Sequence, residues 1–382
     1  MPAPGPPLVR GWCPGVFDPL LTGDGWLVRV RCPGGVVTPA GLRLVAVVAR
    51  DSGAGQIELT SRANLQLRGL RKEALDSTGR ELVAAGLAAA DVAADGWRAI
   101  VSSPLAGHDP TAAVDSAPFV AALADGLACA VDGSPPTKFG IVVDDGGAWP
   151  LDHLDADLHL RAVPGGGWSV ALRGQGWVGT ATRARTVAVA AARLCAAESR
   201  RMDGVLDGRG LPSVLGELGV TPSVSRPPRP STVRDDRPGV RDHLQPDRCS
   251  LVAAPFLGRL DATTVKALAA LAEQDALVLR LTTARSVALC GIRRARLGHV
   301  KGELEGLGLL TTPTDPRALL SACVGSRGCE SARADTWAEA ERLAGVGSGR
   351  VHLSGCEKVC GAPQGVTHLV AVGGGHFEER TA

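Results

Sequence analysis

The sequence predicts an α+β protein built on a duplicated unit with pseudo-twofold symmetry. Two distant segments resemble each other, runs with strand-like alternation are interleaved with apolar-periodic helical runs, and 382 residues is long for one hydrophobic core. Hydrophobic residues make up 45%, enough for several cores and against general disorder.

The repeat is read from 35-GVVTPAGLRLVAVVARDSGAGQIELTSRANLQLRGL-70 and 258-GRLDATTVKALAALAEQDALVLRLTTARSVALCGI-292. Each has a Thr-led start, an apolar-periodic helix, a short break and two β-like runs flanking a Thr-Ser or Thr-Thr step. Laid over each other, TSRANLQLRGL and TTARSVALCGI match Thr60 to Thr282 and Gly69 to Gly291. One pair so far apart in sequence predicts a pseudo-twofold protein rather than a solenoid.

Around this pair the chain divides into a first repeat with an N-terminal extension (1–105), a lobe (106–225), a Pro/Arg-rich linker (226–248), a second repeat (249–310) and a C-terminal lobe (311–382). Within the first lobe, 116–132 and 184–203 read as helices, and 138–144, 157–163 and 168–174 as strands.

The balance of 41 Lys+Arg against 39 Asp+Glu gives no nucleic-acid or membrane footprint. The start MPAPGPPLVRGWCPGVF has no apolar run of signal-peptide length, and 44-LVAVVA-49 and 187-VAVAAA-192 are too short to span a bilayer. A cytoplasmic protein is expected. In that reducing compartment clustered cysteines point to metal or redox chemistry rather than disulfides. The absence of tyrosine removes any phenol from the chemistry.

Four of the ten cysteines sit in 323-CVGSRGCESARADTWAEAERLAGVGSGRVHLSGCEKVC-360, as C-x5-C and C-x3-C. Zinc sites use closer pairs, because both thiolates must reach one small ion. A cubane cluster spreads its irons and tolerates wider spacing, so the pattern favours it, with zinc and unmetallated thiols as the remaining readings. Gly355, Gly361 and Pro363 predict a tight loop in which backbone N–H groups approach sulfur, and ESARADTWAEAERLAG a helix beside it. Cys13, Cys32, Cys129, Cys195, Cys249 and Cys290 are scattered and read as small buried hydrophobes. In 62-RANLQLR-68, Arg62, Asn64, Gln66 and Arg68 alternate with Ala63, Leu65 and Leu67, as on a strand with one polar face.

The C-x5-C…G-C-x3-C pattern, the duplication and the loop TSRANLQLRG together resemble the sulfite/nitrite reductase family. The segments 11-GWCPG-15, 61-SRANLQLRG-69 and 352-HLSGCEKVC-360, with the short stretch after Cys360, are similar to the branch that uses dioxygen to convert precorrin-3A to precorrin-3B in aerobic cobalamin biosynthesis. The resemblance implies duplicated ferredoxin-like half domains plus sulfite-reductase-like α/β lobes, the C-terminal one carrying a [4Fe–4S] cluster on Cys323, Cys329, Cys356 and Cys360. It further implies that Arg62, Asn64, Gln66, Arg68, Arg98 in RAIVSSPLAG, Lys138 in PPTKFGI and, by internal alignment with an offset of one, Arg285 bind the carboxylates of a tetrapyrrole. Two departures stand out. Val359 and Gly361 flank the last cysteine where relatives usually have Gly and Ala, and Gly140 replaces a second lysine that sulfite reductases use to protonate bound sulfite.

The implied activity is a monooxygenase with precorrin-3A and dioxygen as substrates, hydroxylating a meso carbon and closing a γ-lactone. No G-x-G-x-x-G follows a strand, so electrons are expected from a separate ferredoxin or flavin reductase. A non-haem iron is implied as well. The stretch 152-DHLDADLHLR-161 offers His153, Asp157 and His159 for it, with His108 and His352 as alternatives, and no catalytic base is named. Two other readings stay open: a small sirohaem-dependent sulfite or nitrite reductase, and a non-catalytic electron carrier or tetrapyrrole-binding module.

Overall fold

Thr38 and Asp261 begin the two repeats in the same way. The Thr38 side chain accepts from the Gly41 N–H at the start of helix Pro39–Ser52, and Asp261 accepts from Thr264 N–H ahead of helix Ala262–Gln274. The two helices pack against each other. Val45, Ala49, Leu268 and Ala272 lie in one shared core, and Arg43 forks onto Glu273 at the exposed edge. The computed structural model describes residues 13–149, 151–172, 175–220, 224–225, 236–347, 349–363 and 365–380. Residues 11–12 of GWCPG and 226–235 of the Pro/Arg-rich stretch lie outside the described residues.

Each helix leads into a β-hairpin, Gln56–Leu59 with Leu65–Leu70 and Val278–Leu281 with Val287–Arg293. The connecting loops are copies at the level of single hydrogen bonds. Thr60 N–H donates to Asn64 O and Ala63 N–H to Thr60 O; Thr282 N–H donates to Ser286 O and Arg285 N–H to Thr282 O. The left-handed residue is Ala63 (φ 53°) in one and Arg285 (φ 55°) in the other. This accounts for the one-residue offset between Arg62 and Arg285.

The repeats exchange strands. Arg259–Asp261 of the second repeat pairs antiparallel with Gln56–Leu59, and Val36–Val37 of the first pairs antiparallel with Val278–Leu281. Two five-stranded sheets result, each completed by its partner. Residues 239–241, inside the stretch expected as linker, form an edge strand of the second sheet on Arg248–Ala253. Arg62 and Asn64 stand in the turn before strand Leu65–Leu70, so the single polar strand face expected for 62–68 begins only at Gln66.

Each sheet carries a lobe, and the lobes share a plan. In the first, Ile100–Ser102, Ile141–Asp144 and Leu158–Val163 run parallel, and Gly167–Leu172 returns antiparallel. In the second, Leu320–Ala322, Val351–Ser354 and Thr367–Gly373 run parallel, and His376–Arg380 returns. Helix Ala117–Ala130 matches helix Thr336–Val346, which is shorter than the stretch expected and is capped by Asp335. The helical run expected at 184–203 breaks at Ser199 (φ 51°), which separates Ala181–Glu198 from Met202–Arg209. Among the described residues no helix is long and apolar enough to cross a membrane.

Candidate active site

The first sheet presents a row of polar side chains across four strands. Arg29, Gln66, Glu58 and Arg259 are cross-strand neighbours in register. Arg29 Nη2 donates to Gln66 Oε1 (3.1 Å), Gln66 Nε2 to Glu58 Oε2 (2.6 Å), and Arg259 Nε to Glu58 Oε1 (3.0 Å). The Arg259 guanidinium stacks 3.9 Å over Trp337, and Arg327 stacks on the same indole. Burial lowers the pKa of Arg29 and of Arg259, while Glu58 opposes the shift in both. Arg29 Nε and Arg259 Nη1 are buried donors without a partner.

This row lines a cavity of about 410 Å³ that Cys323, Cys329, Cys356 and Cys360 also line. The C-x5-C cysteines follow strand Leu320–Ala322, and the C-x3-C pair follows Val351–Ser354, so parallel pairing brings both loops to one sheet edge. Gly355 N–H donates to Cys323 Sγ (3.1 Å). A Cβ on Gly355 would stand 2.8 Å from Ala332 Cβ, so only glycine lets the loops close there. Burial, and then the thiolates of Cys323 and Cys356, push the Cys360 thiol above its usual range. Four cysteines that line one cavity together with guanidinium groups are a donor set that fits a metal–sulfur cluster.

A second cavity, about 620 Å³, shares Arg29 and Gly361 with the first and is walled by Arg31, Arg62 and Lys138. Burial lowers the Arg62 pKa, with Asp155 opposing, and Arg62 Nη2 donates to Asp155 O (2.6 Å). A Cβ on Gly140 would lie 3.8 Å from Arg62 Nη1, so a lysine there would add a cation at this guanidinium. A third cavity of about 260 Å³ shares Arg62 with the second and Arg285 with the first.

The sequence-predicted residues thus scatter in role. Arg62 and Lys138 face the basic cavity, and Gln66 belongs to the polar row. Asn64 lines the same basic cavity, and its Oδ1 accepts from Cys32 N–H (2.9 Å). Arg68 lines the first cavity and is otherwise buried, with a two-point ion pair to Asp24. Arg98 donates to Arg31 O and Gly86 O and is not in the wall of any of the three cavities. Arg285 donates to Ala322 O and Gly361 O.

His153, Asp157 and His159 do not form one site. His153 lines the third cavity, whereas the Asp157 carboxylate accepts from Gly140 N–H, Met202 N–H and Arg201. His159 lies within strand Leu158–Val163. Among the described residues no three His, Cys, Asp or Glu side chains converge on one ion. His108 pairs with His243, and His352 is buried against Ser321. Sequence reading missed Arg29, Arg31, Glu58 and Arg259. The alternation in 25-GWLVRVR-31 was the available signal for the first two.

The family model described as the nitrite/sulfite reductase ferredoxin-like half domain matches residues 19–85 and 241–307, one match on each repeat. A precorrin-3B synthase of Sinorhizobium sp is 31% identical over 375 residues, covering 93% of this chain and 79% of its own. The chain belongs to the precorrin-3B synthase branch of the nitrite/sulfite reductase family. Precorrin-3B synthase is therefore the relative against which the site is read. A sulfite reductase (ferredoxin) 2 of Mycolicibacterium paratuberculosis is 27% identical, covering 88% of this chain and 67% of its own. The solved NirA protein of Mycobacterium tuberculosis superposes with a TM-score of 0.75 at 20% identity, over 93% of this chain and 73% of that one. It shows the shared fold: duplicated ferredoxin-like half domains with α/β lobes.

Proposed function

We propose that the chain is an oxidoreductase that converts precorrin-3A to precorrin-3B, with dioxygen as co-substrate and a separate ferredoxin or flavin reductase as electron donor. One oxygen atom enters the tetrapyrrole as the hydroxyl that accompanies γ-lactone closure, and the other leaves as water with two electrons from the donor. The observation that carries this reading is that four cysteines and the guanidinium groups of Arg29, Arg68, Arg259 and Arg285 line one cavity. The relative named precorrin-3B synthase supports it.

In this reading Cys323, Cys329, Cys356 and Cys360 hold a [4Fe–4S] cluster, which supplies one-electron transfer when bound. Arg29, Arg31, Arg62 and Lys138 take the acetate and propionate carboxylates in charge-assisted pairs. Leu20, Leu27, Leu59 and Leu257 offer apolar wall to the macrocycle. Glu58 and Gln66 hold Arg29 and Arg259 in place and keep the row from collapsing onto a solvent counter-ion.

Sulfite or nitrite reduction with sirohaem is the second reading, carried by the reductase relatives. Gly140 weighs against it, because the cavity lacks a cation at that position beside Arg62. The test is anaerobic purification followed by incubation with precorrin-3A, reductant and isotopically labelled dioxygen. A spectrum with a broad band bleached by dithionite, and a product carrying one labelled oxygen, is expected. Soret-like bands from sirohaem extractable into acid acetone, with sulfite reduction and no labelled product, would transfer the assignment to a reductase.

A further inference from the structure

Arg285 and Arg68 hold the cysteine loops by their backbone. Arg285 Nη1 donates to Ala322 O (3.1 Å), the carbonyl before Cys323, and its Nη2 to Gly361 O (2.7 Å), the carbonyl after Cys360. Arg68 Nη2 donates to Gly328 O (3.0 Å), the carbonyl before Cys329. Three of the four cysteines therefore have a neighbouring carbonyl fixed by a guanidinium, one from each repeat. The approach is tight: a Cβ on Gly361 would stand 2.4 Å from Arg285 Nη2, and one on Gly328 2.7 Å from Arg68 Nη2. Arg285 also holds the left-handed backbone setting that its counterpart Ala63 has. A long side chain at that strained position needs a reason beyond the turn.

We propose that Arg285 and Arg68 are positioning residues for the cluster loops, tying the loops of Cys323, Cys329 and Cys360 to the two half domains, and that Arg285 adds positive charge beside the cluster. The inference rests on the reading that these cysteines hold a [4Fe–4S] cluster. It removes both arginines from the set that binds tetrapyrrole carboxylates. Both line the first cavity, but Arg285 gives Nη1 and Nη2 to backbone carbonyls and Arg68 is ion-paired with Asp24. A lysine keeps the charge but has one donor nitrogen in place of the planar pair that reaches the two carbonyls. A reduced cluster carries one more negative charge than the oxidised one, so a nearby cation favours reduction.

The test uses the full chain, purified anaerobically, as wild type, R285K, R285Q and R68K. Iron and acid-labile sulfide, loss of cluster absorbance in air, the midpoint potential by EPR-monitored titration, and binding of uroporphyrin by fluorescence quenching are measured on each. Wild type is expected to hold the cluster. R285K should lose it about tenfold faster at a near-native potential, as expected for one lost charge-assisted hydrogen bond. R285Q should lose it as fast and titrate at a more negative potential, with uroporphyrin binding unchanged. R68K should loosen the cluster in the same direction, which keeps the proposal testable if R285Q does not fold by circular dichroism. Variants with wild-type retention and potential, or with weakened uroporphyrin binding and an unchanged cluster, overturn the clamp. A wild-type chain without iron and sulfide after reconstitution overturns the cluster reading and the clamp together.

Discussion

At Val359 the backbone stands at φ 47°, a setting that a β-branched side chain resists, one residue before Cys360. Glycine there relieves the strain but adds backbone freedom to the unfolded chain, so V359G should be neutral to stabilising by about 1 kcal/mol. Thermal unfolding of both forms checks this. Asp145 is the opposite case. Burial, reinforced by Asp144, pushes its carboxyl up to about 7, with Gly147 N–H pulling the other way. Between the ordinary carboxyl range near 4 and pH 7, the folded chain keeps a proton that the unfolded chain has released. Stability from this group is therefore greatest below about pH 4 and falls as pH rises to 7. D145N should flatten that slope, seen as a smaller difference between urea midpoints at low and neutral pH than wild type gives.

At the scale of elements, the duplication was legible because loop chemistry repeats in letters: Thr60 and Thr282 start the same turn, and Gly69 and Gly291 both take positive φ. Strand exchange was not legible. Val36–Val37 and Arg259–Asp261 are too short to show alternation, and their partners lie in the other repeat. The site was half legible for a related reason. Spacing marked the four cysteines, but polarity alone does not separate a cavity-lining arginine such as Arg62 from one such as Arg98, which is spent on backbone carbonyls. The lobe pair came from the family resemblance and not from the letters: Ser103 and Asp109 stand after strand Ile100–Ser102 as Cys323 and Cys329 stand after Leu320–Ala322. Two glycines test how the hairpins meet the loops. Gly55 (φ 73°) has open space around a would-be Cβ, whereas at Gly258 (φ 74°) that atom would lie 2.7 Å from Arg285 Cβ. G55A should cost about 1 kcal/mol for its backbone setting alone. G258A should cost roughly 1–3 kcal/mol more, because Arg285 must move as well. Urea unfolding of the pair reads the difference.

For the whole molecule, symmetry of the frame and asymmetry of the side chains decide how many ligands bind. The row Arg29, Gln66, Glu58 and Arg259 crosses the first sheet. The equivalent row of the second sheet is Val252, Ala288, Arg280 and Val36. Val252, Ala288 and Cys290 there pack with Val101, Trp149 and Leu151 from the first lobe, so that face is filled with core. Among the described residues the first row borders a cavity, and the second row borders none of the three. A polycarboxylated tetrapyrrole should therefore bind once per chain, in the cavities that Arg29 and Gly361 share. Because the cavity walls come from both repeats, the first lobe and the cysteine lobe, occupancy should stabilise the chain as a unit. At a hundredfold excess over Kd the gain is about 2.7 kcal/mol, read as a rise in Tm. Guanidinium–carboxylate pairs make that affinity fall with added salt, and R62Q should weaken it about tenfold or more. Calorimetric titration with uroporphyrin decides the matter: one site, weakened by salt and by R62Q, is the expected result. Two equivalent sites, or binding indifferent to R62Q, would show that the basic cavity beside the polar row does not hold the carboxylates.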